Sequence, residues 1–119
     1  MKLLQLPAVI LLSFLLCSCQ TTPEQNAYRV IGTTAVSVHG TMQGWGDYVR
    51  AKNLTTQQQT PVRLAYERYQ NVMNVTEASV AAAHNSTNGQ AIITMALTTL
   101  EKAAKDVVTQ IENAKKGTP

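Results

Sequence analysis

The apolar positions divide the chain into one unbroken run and three periodic stretches. Leu3 to Leu16 is uncharged and dominated by Leu, Ile, Val and Phe, with Lys2 just before it. From Tyr28 the apolar residues recur at alternating steps of three and four: Tyr28, Ile31, Ala35, Val38, Met42, Trp45 and Val49. That spacing keeps them on one stripe of an α-helix. A second stripe runs through Val62, Ala65, Tyr66, Tyr69, Val72, Met73, Thr76, Val80 and Ala83, and the third, the cleanest, through Ile93, Leu97, Leu100, Ala104, Val107, Ile111 and Ala114. Similar lengths and short turns predict an all-α fold, an antiparallel up-down-up three-helix bundle with helices at about 27–52, 57–85 and 88–116.

Residues between the stripes supply start and stop signals. Asn53 suits a left-handed cap, with Leu54 folding back as its apolar contact. Thr56 with Gln59 reads as a capping box, and Thr60 followed by Pro61 as a competing start, so the second helix is placed to begin between Thr56 and Pro61. Thr87 with Gln90 reads as a further box around Asn88 and Gly89. Gly32, Gly40, Gly44 and Gly46 fall inside the first helix, where each costs about 0.8–1 kcal/mol relative to Ala. Close helix–helix approach is the expected reason for them, and a local break near Gly44 to Gly46 the less favoured one.

The uncharged run at 3–16 is shorter than the roughly 20 residues a spanning helix needs. A basic start, a short apolar run and then small residues make the secretory pattern, so a cleaved signal peptide is predicted over 1–18. The run ends Leu16-Cys17-Ser18-Cys19, which resembles the lipobox of bacterial lipoproteins: an aliphatic residue, a tolerant position, a small residue, then cysteine. The resemblance implies that Cys19 carries lipid and that membrane lipid is a partner through it. Cys17 fits less well, since Leu16 would occupy the small-residue position. Ordinary signal-peptidase cleavage near Ser18 and an uncleaved signal anchor are the alternatives. Thr21 to Asn26 is polar and aperiodic, and residues 19–26 are therefore expected to be a lipidated tether. Gln20, rather than Asp, follows the cysteine; in a Gram-negative host the resemblance implies the outer membrane, facing the periplasm.

With 119 residues and 14% charged side chains, the chain suits one small domain. Its formal charge of +3 falls by one when Lys2 leaves with the leader, too little for a nucleic-acid footprint. Asp47, Arg50, Lys52, Arg63, Glu67, Arg68 and the charges from Glu101 to Lys116 are expected at one half of the bundle. The other half, made of Val30–Gly46, Ala78–Ser86 and Gln90–Leu100, is expected to be charge-free apart from His39 and His84 and to lie nearer Cys19. Thr34, Thr41, Thr94 and Thr98 are its candidate contact surface toward headgroups or another envelope protein. A neutral, hydrophilic surface with no partner is the competing reading.

Catalytic constellations are not found in the sequence. His39 and His84 lack the i,i+4 spacing of a zinc helix, most carboxylates have a basic neighbour at helical spacing, and the glycines follow no strand that would make them a phosphate loop. No metal, cofactor or nucleic-acid partner is therefore expected. Trp45, Tyr48, Tyr66 and Tyr69 could form an aromatic patch for glycan or peptide, although aromatics at core spacing more often pack inward.

The stripes resemble those of the major murein lipoprotein, a single trimerising helix that ends in a lysine joined to peptidoglycan. This chain breaks into three and ends Gly117-Thr118-Pro119. Phage outer-membrane spanins are similar in size and anchor but richer in proline. Trp45-Gly46-Asp47-Tyr48-Val49 and Ala65-Tyr66-Glu67-Arg68-Tyr69 resemble small uncharacterised helical proteins of bacteria and phages. The expected function is a non-enzymatic, membrane-anchored envelope lipoprotein acting as a structural or accessory interaction module. The alternative is a phage-encoded or host protective exclusion lipoprotein that inhibits an envelope component.

Overall fold

A computed structural model describes residues 22–117, and among these there are three helices and no strand. They are α1, Pro23–Lys52; α2, Thr56–Ala83; and α3, Gly89–Lys116. Their ends show an up-down-up bundle. Glu24 at the start of α1 meets His84 just past α2, Arg68 of α2 meets Asp106 of α3, and Lys115 at the end of α3 lies over Tyr48 near the end of α1.

α1 begins four residues before the expected position and takes half of the tether expected over 19–26. Thr22 is extended, its hydroxyl accepts the Gln25 amide N–H, and the Gln25 side chain accepts the Thr22 N–H, which completes a capping box with Pro23 in the first turn. Ala27 is consequently buried, and the stretch read as linker is the first turn of a helix about 45 Å long. α1 ends as expected. Asn53 is left-handed, the Leu54 N–H reaches the Val49 carbonyl, the Asn53 N–H reaches that of Arg50, and Leu54 is buried.

Both other helix starts differ in detail. α2 is capped by Thr55 with Gln58, one residue before the box expected at Thr56 and Gln59, and Pro61 sits inside the helix rather than at its first position. The Gln59 side chain instead donates to the Leu54 carbonyl and braces the turn. α3 starts at Gly89 with no side-chain cap from Asn88, so the Thr87–Gln90 box does not form; the Ser86 hydroxyl accepts the Asn88 N–H in the turn.

The core follows the stripes. Ile31, Val38 and Trp45 of α1, Val62, Ala65, Tyr69 and Val80 of α2, and Ile93, Leu100, Val107 and Ile111 of α3 are buried together. Tyr28 and Ala35 are exposed despite their spacing. Thr76 is buried as well, and its hydroxyl donates within its own helix to the Val72 carbonyl and lies within reach of the Ala96 carbonyl of α3. α2 and α3 form the most extensive pair, while α1 rests mainly on α3 and touches α2 least.

The α1 glycines do not serve close packing. A Cβ built at Gly32, Gly40 or Gly44 meets nothing within 4 Å beyond its own helix backbone, and α1 runs unbroken through Gly46. Close approach is thereby replaced by an open surface, because these positions lie away from the Ile31–Val38–Trp45 stripe. Gly40→Ala and Gly44→Ala should each stabilise the bundle by about 0.5–1 kcal/mol through the helix preference of Ala over Gly. Thermal melts followed by circular dichroism would register it as a higher midpoint. A lower midpoint in both would restore the packing explanation.

Candidate functional site

Three helices in an open bundle leave three seams, and the candidate residues distribute over them unequally. Cys19 and the leader lie outside the described residues. Thr34 and Thr41 line the α1–α3 seam with Ser37, Glu101, Lys105 and Val108. Helical spacing places Thr94 and Thr98 on the side of α3 that continues toward Glu101 and Lys105, so the four threonines share a face rather than a pole. The hydroxyls of Thr41, Thr94 and Thr98 donate to the carbonyls of Ser37, Gln90 and Thr94 within their own helices.

The expected charge-free half therefore does not exist as drawn. Because α1 begins at Pro23, its uncharged stretch lies farther along the bundle, and Thr34 and Thr41 come level with Glu101 and Lys105. At the opposite end, nearest the N-terminal segment, Glu24 Oε1 lies 2.7 Å from His84 Nδ1. The contact is a partly exposed hydrogen bond, worth about 0.5–1.5 kcal/mol. It clasps the start of α1 to the α2–α3 turn.

The α1–α2 seam is chemically varied. A groove of about 770 Å³ runs between Ala35, Val36 and His39 on one wall and Tyr66, Tyr69 and Glu77 on the other. It continues past His39 and Tyr66 to Asp47 and Arg50, which pair with each other. Tyr66 and Tyr69 stack with centroids 6.0 Å apart and planes 22° from parallel. Burial pushes the Tyr69 phenol up, with Tyr66 and then Glu77 adding to the effect, and it stays a neutral hydrogen-bonding group at neutral pH. Glu77 has no ion-pair partner among the described residues. The seam thus offers aromatic faces, amides and one free carboxylate, the makings of a contact surface for a polar partner.

The second aromatic pair, Trp45 and Tyr48, stacks at 5.8 Å, with Trp45 buried and Lys115 Nζ 5.2 Å above the Tyr48 ring. The four aromatics form two pairs, and each sends one ring, Trp45 or Tyr69, into the core, as their spacing favoured.

Along the α2–α3 seam the lining is different. Val72, Val75, Ile92, Met95 and Ala96 form an apolar groove of about 410 Å³ with no ionisable side chain in it. Periodicity did not single out this groove, because Val75 and Met95 fall off their helices' core stripes; their exposure is the signal. Among the described residues no group of three or more His, Cys, Asp or Glu could hold a metal ion, and no helix is long and apolar enough to cross a membrane.

No family model, curated protein or solved structure matches this chain.

Proposed function

We propose that the chain is a lipid-anchored protein of the cell envelope whose bundle is a non-enzymatic structural or accessory interaction module. The observation that carries this reading is Leu16-Cys17-Ser18-Cys19 placed directly before a folded unit whose first cap is Thr22. A diacylglyceryl thioether with an N-acyl chain supplies more than one buried hydrocarbon chain, the number that stable anchoring requires. Gln20 after the cysteine favours the outer membrane, facing the periplasm, in a Gram-negative host. The α1–α2 groove, with Tyr66, His39 and Glu77, is the surface offered to an envelope protein.

Cys19→Ala tests the anchor. The wild type should take up labelled palmitate and sediment with membranes, whereas the variant should lose the label and move to the soluble fraction with unchanged helical circular dichroism. The fold should survive because the core begins at Ala27. A variant that remains membrane-bound and migrates like the wild type would sink the proposal.

A further inference from the structure

The capping box at Thr22 has a consequence for where the bundle can go. Only Gln20 and Thr21 separate Cys19 from Thr22, and three fully extended residue steps reach about 11 Å at most. Glu24 and His84 pair at this end, so the start of α3 at Gly89 belongs to it too. Met95 lies six residues into α3, about 9 Å along the axis from Gly89. A protein tethered by Cys19 therefore keeps the apolar α2–α3 groove within reach of the bilayer surface.

The three seams differ in what they would bring to that surface. The α1–α2 groove carries the unpaired carboxylate of Glu77, and the α1–α3 seam has Glu101 and Lys105 among its threonines. The α2–α3 groove exposes Val75 at 66% and Met95 at 72%, and its floor holds the Thr76 hydroxyl already bonded to the Val72 carbonyl. Asn71 and Ser79 also line it, and neither brings a charge to it. It shares Val72 and Thr99 with the next stretch of the same seam, farther from the tether, where Lys102 stands beside the Arg68–Asp106 ion pair and Lys105 lies between this seam and the α1–α3 seam. Apolar side chains with cations beside them are the pattern of a protein face that rests in the headgroup region of anionic lipid.

We propose that the α2–α3 seam is a second membrane contact, in which Val75, Ile92 and Met95 enter the headgroup–acyl boundary while Lys102, beside the Arg68–Asp106 pair, meets the phosphates of anionic phospholipid. The inference rests on the anchoring reading above. In it the bundle leans onto the bilayer along this seam, which turns the α1 back and the α1–α2 groove toward the aqueous side.

The test uses the full-length, lipidated protein reconstituted into vesicles of phosphatidylethanolamine and phosphatidylglycerol. Met95→Cys on α3 and Val36→Cys on the α1 wall of the α1–α2 groove, both at exposed sites, each receive an environment-sensitive fluorophore. Acyl-chain spin-labelled lipid should quench the label at Met95 severalfold more than the label at Val36, and the difference should shrink in vesicles of phosphatidylcholine alone. Equal quenching at the two positions would overturn the proposal. A blue-shifted but unquenched label at Met95 would overturn it as well, because it would mean that a second copy of the chain covers the groove. Intact mass and thiol labelling of the wild type separate this from failure of the anchor: a protein without added lipid mass and with a reactive Cys19 refutes the anchoring reading itself.

Discussion

Leu100→Ala should lower the stability of the bundle by about 2–5 kcal/mol, the range for a fully buried large-to-small change. Leu100 has 0% exposure at the centre of α3, between the Ile93 and Val107 layers of the core. The deletion removes both the transfer free energy of the lost methyls and the contacts of whatever now lines the cavity. For a domain of this size each kcal/mol corresponds to about 4–8 °C of melting temperature, so the midpoint should fall by about 8 °C or more. Lys102→Ala, two residues away and exposed, should change stability by less than about 0.5 kcal/mol. Thermal melts and urea titrations on both variants check the contrast. Equal shifts would mean that the third stripe does not face the core.

Gly89→Ala should also destabilise, in opposition to the gain expected at Gly40 and Gly44. A Cβ at Gly89 would stand 2.5 Å from the Ala83 carbonyl oxygen and 3.4 Å from its carbon. That carbonyl already accepts the Ser86 N–H and belongs to the last residue of α2, so it cannot yield without opening the α2–α3 turn. The expected loss is about 1–3 kcal/mol, the usual cost of overpacking, partly offset by the better helix propensity of Ala. Two glycine-to-alanine changes of opposite sign in one bundle separate backbone crowding from propensity. A stabilised Gly89→Ala variant would show that the turn relaxes freely.

Much of this architecture was legible in the chain. Ile93, Leu100, Val107 and Ile111 recur so regularly that α3 and its buried face follow from spacing alone, and the Asn53–Leu54 cap follows from residue chemistry. The ends were harder, for separate physical reasons. Thr22-Pro23-Glu24-Gln25 carries a helix-start signature, yet its polarity and its place just after the leader made it read as tether. At the start of α2, adjacent threonines followed by three glutamines offer two boxes of the same spacing, and local chemistry does not choose between them. Pro61 drew the boundary forward, although the helix begins before it.

Charge placement failed because it depends on the register between helices. Moving the start of α1 to Pro23 sets Thr34 and Thr41 beside Glu101 and Lys105, and no single helix contains that information. The glycines failed for a related reason: sequence shows that Gly40 and Gly44 lie close on one helix, but the side on which a neighbour sits is a tertiary fact. The apolar α2–α3 groove was missed because Val75 and Met95 interrupt the pattern instead of extending it.

The unequal packing of the helices bears on how the protein responds to mechanical load. α1 is the helix nearest the N-terminal segment and also the one with the least contact to its neighbours, while α2 and α3 grip each other along their length. Tension applied at the N-terminal end enters through α1, and shearing it off exposes the Val38 and Trp45 face while the α2–α3 hairpin remains paired. The bundle is thus built in series, a yielding helix at its N-terminal end and a resistant hairpin behind it.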